Sequence, residues 1–102
     1  MKEDKLSDKS DILKQKMRRE YRNILKQELD DVFDHEERLE LLNQYIPILY
    51  KDLRDNKLKS QRLVILEDLV KAMKQKIELT LDMDERKQLY NDLRELLTKE
   101  MS

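Results

Sequence analysis

Glycine and cysteine are absent from this chain, tryptophan is absent too, and proline and histidine occur once each. Without glycine the chain cannot build a phosphate-cradling loop, a dinucleotide-binding turn or a nucleophile elbow. Each of these needs backbone angles or close approaches that a Cβ prevents. Without cysteine there is no disulfide framework, zinc knuckle or thiol nucleophile. A single histidine gives no His-rich metal site. Strand formers are scarce, with three Val, two Thr and one Phe, so a β-rich fold is not expected. No apolar run approaches the ~18 residues of a membrane span. The opening Met1-Lys2-Glu3-Asp4-Lys5 lacks the apolar stretch of a signal peptide, and a cytoplasmic location is the expectation.

What remains is a chain of 102 residues in which 44% are charged, with 22 Lys+Arg against 23 Asp+Glu. Leu, Ile, Val and Phe number 29, of which 19 are Leu, above the range typical of disordered chains. Leu, Lys, Glu, Gln, Arg and Met dominate, and all favour helix. The expected class is all-α, in a single domain whose core is feasible but thin at this size.

Residues 1–9 are polar and without apolar period, which predicts a flexible N-terminal tail ahead of one helical domain over 10–102. Ser7 or Ser10 is positioned to cap a first helix from about Asp11 to Phe33. Its apolar arc holds Leu13, Met17, Tyr21, Ile24, Leu25 and Val32, with Leu29 and Phe33 off the arc. Acids at 34–37 suit the positive end of a second helix dipole, about Glu36 to Asn56. The seam Leu39, Leu42, Ile46, Leu49 and Leu53 keeps its phase across Pro47, so one kinked helix is expected there. Leu41, Tyr45 and Ile48 add a second stripe. Ser60 is the expected cap of a third helix, about Gln61 to Leu81. Its seam is Leu63, Leu66, Val70, Met73, Ile77 and Leu81, and its second stripe is Ile65, Leu69, Ala72 and Leu79. Asp82 and Glu85 have capping-box spacing before a fourth, single-sided helix, about Met83 to Glu100. The core is expected at Leu42, Ile46, Leu49, Leu66, Val70 and Met73. No internal repeat is expected. Short connectors imply antiparallel neighbours and an up-down-up-down four-helix bundle. The alternative is a three- or four-helix hairpin assembly completed by dimerisation through helix 1.

The near-zero net charge hides blocks. Residues 14–26 carry six bases against Glu20, residues 27–42 seven acids against Arg38, and residues 51–62 five bases against two acids. Antiparallel folding would gather acids at one end and bases at the other. Lys14, Arg18, Arg22 and Lys26 form an i, i+4 ladder of like charge. An antiparallel helix 2 sets its neutral stretch 41–50 opposite, so the ladder is expected to lack an internal counter-charge.

His35 among acids at a helix start does not converge on a metal, and the carboxylates cluster at an exposed turn rather than in a cleft. No catalytic residue, cofactor or metal is expected, and the chain is not read as an enzyme. The expected function is a protein-binding module (adaptor, inhibitor or regulatory subunit) that docks by charge complementarity. Its partner would be a protein with an acidic surface, and a homodimer is possible in this reading. The expected contact residues are Lys14, Arg18, Arg19, Arg22 and Lys26 with the boundary aromatics Tyr50 and Tyr90. A second reading uses the basic face of helix 1 on nucleic acid. A third, by analogy of size and class with bacteriocin immunity proteins, places the bundle near a membrane receptor.

Overall fold

A computed structural model describes the backbone from Lys2 to Met101 and the side chains from Asp11 to Met101. It contains four helices: α1 (Lys2–Asp31), α2 (His35–Asp55), α3 (Lys59–Leu79) and α4 (Met83–Met101). They run up-down-up-down as an all-α four-helix bundle. The helical backbone of α1 begins at Lys2, well before the predicted start at Asp11, so Ser7 and Ser10 lie within the helix rather than at its cap. Nothing in that stretch stops a helix: it has neither Gly nor Pro, and Lys, Glu and Leu are good formers. The side chains of residues 1–9, expected as a flexible tail, lie outside the described residues.

The ends of the helices follow local chemistry. Asp34 caps α2 by accepting from the Glu37 N–H at 3.2 Å, and Asp82 accepts from the Asp84 N–H at 3.0 Å at the start of α4. Ser60 does not cap α3; the cap position is Leu58, and it has no side-chain bond. α1 ends on Asp30 and Asp31, acids at the negative end of a dipole. Arg38 from α2 corrects this, its Nη1 donating to the carbonyls of Leu29 at 2.7 Å and Val32 at 2.8 Å. Arg62 from α3 closes α2 in the same way, donating to the carbonyls of Leu53 and Asn56. α2 runs unbroken through Pro47, as its seam predicts. Pro47 and Asn43 are both exposed, so the carbonyl that proline leaves without its helical donor faces water.

The core lies between α2 and α3. Leu42, Leu49, Leu69 and Met73 are fully enclosed, each worth about 1.5–3 kcal/mol of transfer free energy. Ile65, Ala72 and Ile77 join them from α3, and Leu25 and Leu29 from α1. Two expectations need correction here. Leu66 and Val70 are only partly buried, because the buried arc of α3 centres on its second stripe, Ile65, Leu69 and Ala72. On α1 most of the predicted stripe is outside: Leu13, Met17, Tyr21 and Ile24 are all exposed. The face turned inward instead carries Arg18, Arg22, Leu25 and Leu29.

Among the described residues, only consecutive helices bring Cα atoms within 8 Å: α1 with α2, α2 with α3, and α3 with α4. α1 and α4 therefore do not close the bundle. Its principal extents are 53 × 34 × 22 Å. A Lys26–Asp68 ion pair joins α1 to α3. A groove between α2 and α4 is lined by Pro47, Tyr50 and Arg54 on one side and Asp92 and Glu95 on the other.

This sequential contact has a basis in the sequence that the absence of any expected repeat overlooked. α2, α3 and α4 begin at residues 35, 59 and 83, each 24 after the last. Arg38, Arg62 and Arg86 fall in register, as do Tyr45, Leu69 and Leu93, then Leu49, Met73 and Leu97, then Leu53, Ile77 and Met101. α1 continues the columns with Lys14, Tyr21, Leu25 and Leu29. Arg38 and Arg62 bond the carbonyls six and nine residues before them. The N–H groups of Arg38, Arg62 and Arg86 each bond the carbonyl four back. The chain is a run of single-helix repeats in which each unit packs on its neighbours.

Candidate interaction surface

Two features could recognise a partner: the basic ladder singled out in the sequence, and the acidic end of the molecule. The ladder does not stand as expected. Arg18 Nη1 donates to Asp55 Oδ2 at 2.7 Å and to Asp52 Oδ1 at 3.3 Å. Arg22 Nη1 donates to Asp52 Oδ2, and Lys26 Nζ to both oxygens of Asp68 at 3.2 Å. The side chains of Arg18 and Arg22 are only 19% and 14% exposed, and that of Asp52 10%. The premise that the ladder lacks an internal counter-charge is therefore overturned for Arg18, Arg22 and Lys26. The reason is register. α1 sets residues 18–22 against Asp52 and Asp55 in the last turns of α2, rather than against its neutral stretch 41–50. Arg18 holds the Asp55 carboxyl below the usual carboxylate range, chiefly through its hydrogen bond.

The remaining sequence-predicted residues scatter. Lys14 and Arg19 are exposed and make no ion pair among the described residues. Arg19 lines a cleft of about 370 Å³ beside Gln15, Ser60 and Gln61. Tyr50 lies on the opposite flank of α2, its hydroxyl 3.5 Å from Met73 Sδ. Burial, then the charges of Asp92 and Glu95, raise its phenol. Tyr90 is exposed on α4, and Tyr21 is exposed with its hydroxyl on Gln44 Oε1 at 3.2 Å. Only Arg18, Arg22 and Lys26 are brought to one place, where they hold α1 to the α2–α3 hairpin.

The acidic end is built by the turns after α1 and α3, which antiparallel topology sets at the same end. Residues 28–40 and 74–87 supply eleven carboxylates against five Lys and Arg. Asp30, Asp31, Asp34, Glu36, Glu37, Asp82, Asp84 and Glu85 are all exposed and make no ion pair among the described residues. From their midst project Phe33, Leu81 and Met83, exposed by 85%, 92% and 62%. Phe33 and Leu81 occupy the same column of the repeat, where the turn at the opposite end carries Lys57. Sequence reasoning missed these three residues. The apolar pattern places Phe33 at the end of helix 1 and Leu81 in the seam of helix 3, but both helices stop short of them. The available signal was the only phenylalanine of the chain set off its helix arc among acids.

Among the described residues, no helix is long and apolar enough to cross a membrane. No group of three or more His, Asp or Glu side chains there is placed to hold a metal ion. No protein-family model, no curated protein and no solved structure matches the chain.

Proposed function

We propose that this chain is a protein-binding module (an adaptor, inhibitor or regulatory subunit) that docks through its acidic end. The carrying observation is the trio Phe33, Leu81 and Met83, held out of the core at two turns of one end and ringed by carboxylates without ion-pair partners among the described residues. Large apolar side chains supply affinity when a partner's pocket takes them from water. The surrounding charge steers the encounter and selects the partner. The partner is then a protein presenting an apolar pocket rimmed by Lys and Arg, opposite in sign to the one the basic ladder suggested. Closure of that ladder on Asp52, Asp55 and Asp68 removes the main support for a nucleic-acid partner.

The test is the double substitution Phe33→Ala and Leu81→Ala. Both residues lie outside the core, so the melting profile should stay that of the wild type. A partner recovered on the wild type from host cells should bind the double variant at least about tenfold more weakly, the 1.4 kcal/mol of a single lost anchor. Its binding to the wild type should also weaken with salt. Equal affinity for the folded variant would sink the reading.

A further inference from the structure

The repeat leaves two unmatched faces. In α2, α3 and α4, the columns headed by Met17, Tyr21 and Ile24 carry core residues, among them Tyr45, Leu69 and Leu93, and on α2 they lie on the side of Asp52 and Asp55, which pair with the preceding helix. On α1 there is no preceding helix within the described residues, and Met17, Tyr21 and Ile24 are exposed. The face that receives the following helix carries Leu42, Leu49 and Leu53 on α2. On α4 the same columns carry Tyr90, Leu97 and Met101, of which Tyr90 and Met101 are exposed and Leu97 is half-buried. One end of the array thus presents an apolar donor face and the other an apolar acceptor face.

We propose that the occupant of the α1 face is α4 of a second copy, stacked head to tail so that the repeat continues from one molecule into the next. Charge complementarity selects this occupant. Within the chain, Arg22 of α1 pairs with Asp52 of α2. Moving that pair along the 24-residue register to the junction between α4 and the next copy's α1 gives Arg94 and Glu28. The Lys26–Asp68 pair, which joins α1 to α3, moves to Lys74 and Glu20. The Arg18–Asp55 pair moves to Tyr90 and Asp31, a phenol donor facing a carboxylate. All six of these residues are exposed. Among the described residues, Arg94 bonds Asn91 on its own helix and makes no ion pair. Three of the polar contacts that hold α1 on the hairpin are therefore written again, donor facing acceptor, across the gap between copies; the Tyr21–Gln44 bond is not, since its positions there are Leu93 and Glu20. A symmetric pairing of two α1 helices makes no use of Arg94, Lys74 or Tyr90. The contact is heterologous, so it grows into chains or a ring rather than stopping at a two-fold dimer.

This stacking surface is distinct from the acidic end, and the two readings stand or fall separately. The test is sedimentation equilibrium of the full chain from about 1 µM to about 1 mM. The wild type should associate with rising concentration into species beyond the dimer or into a closed ring. Arg94→Glu and Glu28→Arg, each made alone, should raise the dissociation constant at least about tenfold, a loss of 1.4 kcal/mol. An equimolar mixture of the two should restore association, since every mixed junction then pairs opposite charges. Should either variant fail to fold by circular dichroism, Lys74→Glu and Glu20→Lys are read in the same way. A wild type that stays monomeric throughout overturns the proposal, and so does a mixture that fails to restore association. Weakening by Glu28→Arg with no effect of Arg94→Glu would also overturn it, in favour of symmetric α1 pairing.

Discussion

Asp52 accepts hydrogen bonds from two guanidinium groups while its own side chain is nearly enclosed. Isolated, such a cluster would be costly to desolvate. Two bases facing Asp52 and Asp55 bring its net charge to zero, which makes partial burial tolerable. Tyr45 packs beside it, and its phenol is pushed up to about 12, first by burial and then by the charge of Asp68. This has a sign that can be worked out. The unfolded chain's tyrosine titrates near 10, so between about pH 10 and about pH 12 the folded state holds a proton that the unfolded state releases. The stability contributed by the neutral phenol is complete below about pH 10 and is lost as pH rises through the folded value. The urea midpoint should fall further between about pH 9 and about pH 11 for the wild type than for Tyr45→Phe, which has no phenol at this position. An equal fall in both would show that Tyr45 does not carry the effect. At this scale the buried leucines of α2 were legible because apolar spacing reports burial directly. The ion pairs were not, because they depend on which turn of one helix faces which turn of another.

Among the elements, α2 was read almost to the residue. Apolar residues on two sides of one helix leave little choice of which arcs to bury. α1 shows the limit of that argument. Its apolar stripe, Leu13 to Ile24, is as regular as that of α2, yet it lies outside. Periodicity identifies an apolar face without saying whether the chain supplies a neighbour for it. In α1 the guanidinium pairs with Asp52 and Asp55, together with Leu25 and Leu29, fix the inward face. Pro47 makes an element-scale prediction possible. It is exposed, in mid-helix, and contributes no backbone donor. Pro47→Ala should stabilise the chain by about 1–3 kcal/mol, since alanine restores the bond to the Asn43 carbonyl and is favoured in a helix interior. Chemical denaturation checks this. A destabilised Pro47→Ala variant would show that the ring's contacts along the α2–α4 groove matter more than the missing bond.

The whole molecule is a short array rather than a closed bundle. Its helix class and antiparallel order could be read from propensity and connector length. Its open form could not, because the repeat shares few identities beyond Arg38, Arg62 and Arg86, and Pro47 interrupts the likeness. Openness follows once each helix has one face for its predecessor and another for its successor. Charge then divides by role across the array: bases on the inner face of α1 close on α2 and α3, while the acids of the opposite end stay exposed. The central claim is that Arg18, Arg22 and Lys26 on α1 form an internal clamp, so the proposed docking surface is the acidic end with Phe33, Leu81 and Met83. A double-mutant cycle on Arg22→Ala and Asp52→Ala, read by equilibrium denaturation, tests it most directly. The account predicts a coupling of about 1–3 kcal/mol between the two sites, as for groups in one hydrogen-bonded ion-pair network. Losses that add to within about 0.5 kcal/mol would contradict it and return the ladder to the surface as a candidate contact.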